Sequence, residues 1–414
     1  MPKDVIQFLL SLPFWDGKSS FSRENLRAVL STLGNPEKKV KAVHIAGTNG
    51  KGSTAAMIES ILYSAGYKTG LFISPHLERL TERIRINKEE ARLSDIEEAV
   101  CLIQNTIQKS GKQLSFFEYI TAVGFVIFAE KEVDFAILET GLGGTLDATN
   151  LCNSVISVIT TVSLEHQHIL GKTLKEIAQN KAGIIKEKTT VVSGVLEKEA
   201  KEVIEQKALE KKAKAYQLSK DFFYYPTDKS YIYKTLSGEE FMFSTPLKGK
   251  HQAHNASLAI TTAKILGVDK TVILKGLSNT YWPGRLEEVV YKERKIILDC
   301  AHNLEAVQAI VSYFLGKNQK LSLLFGVCAD KNWQEIILTL QEIVENFFFV
   351  NIPSKRGLPS AELHNFAKEN GLDSVFNFTD NYQLAITKAL EFSNPILVCG
   401  SVYLVGAVRE LLSA

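Results

Sequence analysis

The stretch Gly47-Thr48-Asn49-Gly50-Lys51-Gly52-Ser53 constrains the fold more than any other part of this chain. It follows the apolar run Val43-His44-Ile45-Ala46 and opens into a helical pattern from Thr54 to Ser64. A strand, a glycine-rich turn and a helix in that order make a phosphate cradle. The glycines let backbone N–H groups point inward at phosphate oxygens, and the helix N-terminus adds the positive end of its dipole. Lys51 supplies a point charge for the outer phosphates, and Ser53 a hydroxyl near a phosphate-bound metal. Gly52 separates Lys51 from Ser53, so the spacing departs from the common G-x-x-x-x-G-K-[ST] form. A turn without a ligand would need neither the lysine nor the hydroxyl.

The rest of the chain repeats the alternation of strand and helix. Residues 4–33 read as two short helices, with Ser20 or Ser22 as a cap and Gly34-Asn35-Pro36 as the stop of the second. Lys68–Ile73 predicts a strand ending at Ser74-Pro75-His76, and helical patterning covers Ser94–Lys109 and Phe116–Glu132. The run Val133–Leu138 predicts a buried strand that delivers Glu139 at its C-terminal end, and Ser154–Thr160 predicts another. Such alternation implies a parallel sheet, in which ligands gather beyond the strand C-termini. Gly47, Ser74 and Glu139 all fall at such ends. Glu197–Lys214 reads as a charged helix, residues 216–245 as a small antiparallel subregion, and His251–Leu266 as a helix with Gln252, His254 and Asn255 in its first turns. After the turn Tyr281–Arg285 a second alternation begins, with strands expected at Lys295–Asp299, Leu321–Gly326, Asn346–Val350 and Ile396–Cys399. The expected fold is α/β: an N-terminal P-loop mononucleotide-binding domain with a parallel sheet over 1–282, and a smaller C-terminal Rossmann-like α/β domain over 283–414. At 414 residues two cores are expected.

Composition narrows the function classes. A net charge of +2 leaves no electrostatic footprint for nucleic acid. No apolar run reaches the length of a membrane span, and Asp4, Pro13 and Asp16 interrupt any signal-peptide pattern. The five scattered cysteines include no C-x-x-C pair, which points to a reducing compartment and a cytoplasmic location.

Several polar residues stand at positions where chemistry gathers. Glu139 suits a Mg²⁺ carboxylate in the manner of a second phosphate-site motif, or else caps the following turn. His166, in Ser163-Leu164-Glu165-His166, follows a sheet strand and would sit at the same rim, although a lone histidine is more often structural. Lys181, before Ala182-Gly183, reads by spacing alone as a lysine complementing a helix C-terminus ahead of a glycine cap. In the second half, Asp299 and His302 close a strand in Asp299-Cys300-Ala301-His302-Asn303. Arg285, in the turn between the domains, offers a planar fork for phosphate or for an interdomain ion pair.

Taken together these residues resemble the folylpolyglutamate synthase/dihydrofolate synthase family of the Mur ligase superfamily. The resemblance rests on the cradle, Ser74-Pro75-His76-Leu77, Glu139-Thr140-Gly141-Leu142-Gly143-Gly144, Leu146-Asp147-Ala148-Thr149-Asn150, Lys181-Ala182-Gly183-Ile184, His251-Gln252 with Asn255, Pro283-Gly284-Arg285, Asp299–Asn303 and Gly400–Gly406, all in order along nearly the whole chain. It departs at Thr145, where an arginine is common, at Glu165, where an aspartate is common, and at Ala329-Asp330-Lys331-Asn332, which matches the family's loop loosely.

The resemblance implies an ATP-dependent carboxylate–amine ligase. ATP would phosphorylate the carboxylate of a pteroate or folate, and the amine of L-glutamate would displace phosphate from the acyl phosphate. It implies that Gly50, Lys51, Gly52 and Ser53 hold ATP phosphates, with Asn255, Arg285 and Asp299 completing the nucleotide site. Ser74, Glu139 and His166 would form the metal group, with Mg²⁺ expected as two ions. Lys181 looks like the family's carbamylated lysine, which reverses the reading from spacing. His302 and Ser401 look like glutamate-side residues, and Ser115, Leu146, Asp147 and Ala148 like the pterin side. The implied partners are dihydropteroate or folate, L-glutamate and ATP, with a monomer as the default. The alternatives are a Mur-type ligase for another carboxylate, or a nucleotide-binding module without amide chemistry.

Overall fold

The computed structural model describes residues 4–13 and 23–413, so the expected caps Ser20 and Ser22 lie outside the described residues. The chain divides into two compact units. The first comprises residues up to Pro75, Leu80–Pro246 and Gln252–Thr280; the second comprises His76–Arg79, Leu247–His251 and residues from Tyr281 onward.

The first unit is built on one large sheet. Its strands are β1 (Lys41–Ala46), β2 (Thr69–Phe72), β3 (Ile84–Ile86), β4 (Glu89–Glu90), β5 (Phe135–Glu139), β6 (Asn153–Ile159), β7 (Thr190–Ser193) and β8 (Lys214–Gln217). Their spatial order is β4-β3-β2-β5-β1-β6-β7-β8. The six strands from β2 to β8 in that order run parallel, and β3 and β4 add antiparallel strands at one edge. Parallel strands covered on both faces need apolar side chains on both, and β5 is buried at every position. β1 lies at the point where the strand order reverses, flanked by β5 and β6, and the crevice beyond its C-terminal end is the expected ligand position in such a sheet.

Two helices show how local sequence sets the frame. Ser115 caps helix Phe116–Glu130, and Glu118 returns a bond to the Ser115 N–H at 2.8 Å in a capping box. Thr173 and Glu176 do the same for helix Leu174–Ala182. A smaller antiparallel sheet, β9 (Phe222–Pro226), β10 (Tyr231–Thr235) and β11 (Glu240–Phe243), occupies the aromatic stretch. Its Tyr233 hydroxyl meets Thr261 Oγ1 at 2.9 Å on the helix His251–Ile265.

The second unit holds a six-stranded sheet of β12 (Glu287–Tyr291), β13 (Arg294–Leu298), β14 (Leu321–Phe325), β15 (Val344–Phe349), β16 (Val375–Asn377) and β17 (Ile396–Cys399). The order is β12-β13-β17-β14-β15-β16, with only β12 antiparallel. Apolar clusters cover both faces, one around Ile310, Phe325 and Leu340, the other around Leu298, Phe348 and Leu404. Arg409 is the polar centre of this unit. It meets Glu78 at 2.5 Å, Glu287 at 3.2 Å and the Tyr281 hydroxyl at 3.2 Å. No helix among the described residues is long and apolar enough to cross a membrane.

Candidate active site

The cradle begins where β1 ends. Ile45 pairs with Glu139 across the sheet, so the loop and the carboxylate leave adjacent strands side by side. Gly50 has φ +83°, and the helix starts at Lys51, three residues earlier than the apolar pattern alone suggests. Lys51 and Ser53 are therefore in the first turn, where N–H groups lack intrahelical partners. The loop is bolted to the segment after β6. Thr160 Oγ1 donates to the Asn49 carbonyl at 2.6 Å, Thr161 Oγ1 accepts from the Asn49 N–H at 3.0 Å, and Thr48 N donates to the Thr161 carbonyl at 2.9 Å. These threonines carry no motif of their own, and the sequence reading missed them.

Lys51 Nζ donates to the carbonyls of Gly47 and Thr48 at 3.0 and 3.1 Å. The first turn of helix His251–Ile265 reaches the same loop. Gln252 Nε2 donates to Ser53 Oγ at 3.4 Å, and Asn255 Nδ2 donates to Gln252 Oε1 at 3.0 Å. Gln252 thus joins Asn255 at the cradle.

Glu139 is buried at the end of β5, and its Oε2 accepts from the Ser74 N–H at 3.3 Å. Beyond β6, His166 Nε2 lies 3.7 Å from Glu165 Oε1. Lys181 is 3% exposed near the end of its helix. Burial, and then the Lys51 ammonium, pull its amine down to about 7, against the opposing pull of Glu165. Lys51, Glu165 and Lys181 thus interact across one rim. Gly183 caps the helix whose last turn holds Lys181, as the spacing suggests, but in the right-handed conformation: its φ is −62°, and it is a glycine because Thr145 fills the space a Cβ would need.

The donors fit magnesium. Among the described residues, no three His, Cys, Asp or Glu side chains form a metal cluster by themselves. Magnesium keeps several waters and takes one or two carboxylates together with substrate phosphates. One buried carboxylate beside a phosphate cradle meets that need.

The loop from Gly141 to Asp147 follows Glu139 and is pinned to the Lys181 helix. Asn180 Oδ1 accepts from the Gly144 N–H at 3.1 Å, and the Asn180 carbonyl accepts from Thr145 N and Thr145 Oγ1, both at 2.9 Å. The Arg23 guanidinium donates to the Thr145 carbonyl. Leu146 is 70% exposed, whereas Asp147 and Ala148 are buried. The Ser115 hydroxyl is engaged in its helix cap.

In the second unit, Asp299 accepts from Leu286 N and Ala301 N, each at 2.8 Å. His302 Nδ1 lies 2.8 Å from the Cys300 carbonyl, which can only accept, so Nδ1 carries a proton. Arg285 donates to the Gly284 carbonyl at 2.9 Å. Ser401 follows β17, and its Oγ accepts from Tyr403 N at 3.2 Å. Asp299, His302 and Ser401 all lie beyond the C-terminal ends of β13 and β17.

The chain is similar to known proteins along nearly its whole length. Residues 45–263 match the Mur ligase middle domain, and residues 284–402 match the Mur ligase glutamate ligase domain. The dihydrofolate synthase/folylpolyglutamate synthase of Bacillus subtilis is 34% identical over 410 residues, covering 94% of each chain. The Escherichia coli FolC structure in complex with DHPP and ADP is 28% identical, with a TM-score of 0.88, over 99% of this chain and 96% of that one. The Yersinia pestis bifunctional folylpolyglutamate synthase/dihydrofolate synthase structure, with Mn, AMPPNP and L-glutamate bound, is 27% identical, with a TM-score of 0.86, over 99% of this chain and 97% of that one.

Proposed function

Because the chain belongs to the folylpolyglutamate synthase/dihydrofolate synthase family of Mur ligases, we propose that it adds L-glutamate both to dihydropteroate and to the γ-carboxylate of folate glutamates. It is an ATP-dependent ligase, and the step to be driven is amide formation from an unreactive carboxylate. The observation that carries the reading is the meeting, at one sheet rim, of the Lys51 cradle, the buried Glu139 carboxylate and the Lys181 amine shifted to about 7.

The acceptor carboxylate attacks the γ-phosphorus of ATP, and ADP leaves. The glutamate amine then attacks the carbonyl carbon of the acyl phosphate, inorganic phosphate leaves with the bonding pair, and the amine loses a proton. Repulsion between ATP and the carboxylate opposes the first step, so the site must supply positive charge. The N–H groups of Gly50, Gly52 and Ser53 bind phosphate oxygens. Lys51 exchanges its two loop carbonyls for the outer phosphates. Asn255, Arg285 and Asp299 are assigned to the nucleotide.

Ser74, Glu139 and His166 would hold magnesium, expected as two ions, which when bound neutralises phosphate charge. Lys181 is assigned as a carbamate: a neutral amine adds to CO₂ and releases a proton, turning a cation into an anionic oxygen donor. Its depressed pKa supports this, since an ordinary lysine is almost wholly protonated near neutral pH. His302 and Ser401 are assigned to glutamate, and Ser115, Leu146, Asp147 and Ala148 to the acceptor. All five cysteines are free, which supports the expected cytoplasmic location. A monomer is the expected state.

The test is phosphate release with dihydropteroate and with tetrahydrofolate, each with and without L-glutamate. Glutamate-dependent turnover with both acceptors is expected. Turnover with one acceptor alone removes bifunctionality. ATP hydrolysis indifferent to glutamate would favour a nucleotide switch, and turnover only with UDP-linked peptides another Mur-type ligase.

A further inference from the structure

A buried polar chain runs from the middle of the large sheet to the loop between Gly141 and Asp147. His44 lies in β1 with β5 on one side and β6 on the other, and it is fully buried. Its Nε2 lies 2.8 Å from Thr149 Oγ1. Thr149, also fully buried, approaches Asp147 Oδ1 at 2.5 Å through its hydroxyl and at 3.0 Å through its N–H. The second carboxylate oxygen, Oδ2, accepts from Leu142 N at 2.9 Å.

The direction of each bond follows from the chemistry. Burial raises the pKa of the Asp147 carboxyl, whereas the N–H groups of Leu142 and Thr149 and the Thr149 hydroxyl favour its ionised form; as a carboxylate it accepts, so the Thr149 hydroxyl donates to it. The hydroxyl has one proton, so it accepts from His44, and the imidazole carries its proton on Nε2. Burial holds that imidazole neutral, at about 3. Nδ1 has no hydrogen-bond partner, a cost that an apolar residue in a central strand would avoid.

We infer that His44 and Thr149 are positioning residues for the acceptor: they fix the Asp147 carboxylate in the one orientation that closes the loop from Leu142 to Thr149. Several anchors act on this loop, among them the bonds of Arg23 and Asn150 to the Thr145 carbonyl. Asn180 holds Gly144 and Thr145 from one side, and the carboxylate ties Leu142 to Thr149 from the other. Between them stands the exposed Leu146. Loss of the hydroxyl leaves Oδ1 with the Thr149 N–H alone, so the carboxylate is held less firmly and the loop shifts where the pteroate would meet it. This rests on the assignment of residues 146–148 to the acceptor.

The test is steady-state kinetics of Thr149→Val, Thr149→Ser and His44→Gln in the full chain. Thr149→Val keeps the shape and removes the hydroxyl. It is expected to raise KM for dihydropteroate and for tetrahydrofolate about tenfold, with KM for ATP within twofold of the parent. Thr149→Ser is expected to return the acceptor KM to within about threefold of the parent. His44→Gln, which retains an amide donor, is expected to fall between them. Equal rises in KM for ATP, glutamate and acceptor would overturn the inference, as would unchanged KM values beside a lowered Tm. If Thr149→Val does not fold, His44→Gln decides by the same split. A parent chain with no acceptor-dependent turnover would end the functional reading itself, and is distinguishable because it precedes any variant.

Discussion

Asn255 stands over Gly50 so closely that its carboxamide oxygen occupies the space a Cβ on Gly50 would need. The same glycine has φ +83°, a conformation that side chains rarely adopt. The cradle is thus closed by a residue more than two hundred positions further along, and the glycine answers two demands at once.

Gly50→Ala is therefore expected to weaken ADP binding at least tenfold and to destabilise the first unit by about 1–2 kcal/mol. Calorimetric titration with ADP, paired with a thermal melt, checks both. An unchanged ADP affinity would remove Gly50 and Asn255 from the nucleotide site.

Lys181 links stability to pH. Its amine is pulled down to about 7 in the folded chain, against 10.5 for an ordinary lysine. Between those values the unfolded chain holds a proton that the folded chain does not. Stability therefore rises with pH through that window, and the charged amine weighs most on the fold below it. In metal-free protein Lys181→Met is expected to raise Tm at pH 6, with the gain shrinking toward pH 10, and to abolish ligase turnover. A gain in Tm that did not change with pH would show that the amine is not the source.

Glu139→Gln preserves shape and an acceptor for the Ser74 N–H while removing charge. Turnover is expected to fall by on the order of 10²–10³ with Tm almost unchanged. Near-parental kcat would take Glu139 out of the metal group.

Arg409 binds the His76–Arg79 segment into the second unit through Glu78. A double-mutant cycle of Arg409→Met with Glu78→Gln is expected to give a coupling of about 1–2 kcal/mol, because the pair is charge-assisted and largely shielded. A coupling near zero would leave Glu287 and Tyr281 as the partners that matter.

The amino-acid sequence by itself determined the parts whose physics is local. A glycine turn between strand and helix needs only its own residues, so the cradle was legible, as was Glu139 at a strand end. The main parallel strands were legible because burial on both faces forces unbroken apolar runs. The strands β3, β4, β7, β8, β12 and β16 were missed, since their few residues include polar ones and lack the unbroken apolar run that made the equally short β17 legible. Tertiary structure alone decided the rest. The Lys181 pKa depends first on burial and then on Lys51, far earlier in the sequence, whereas spacing had offered only a helix-end lysine before a glycine cap. His44 looked like part of an apolar strand until Thr149 was placed beside it, 105 residues on, and Glu78 and Arg409 meet across 331 residues. Bonds within a few residues are written in the backbone's own geometry. Partners across the chain are chosen only when packing brings whole elements together.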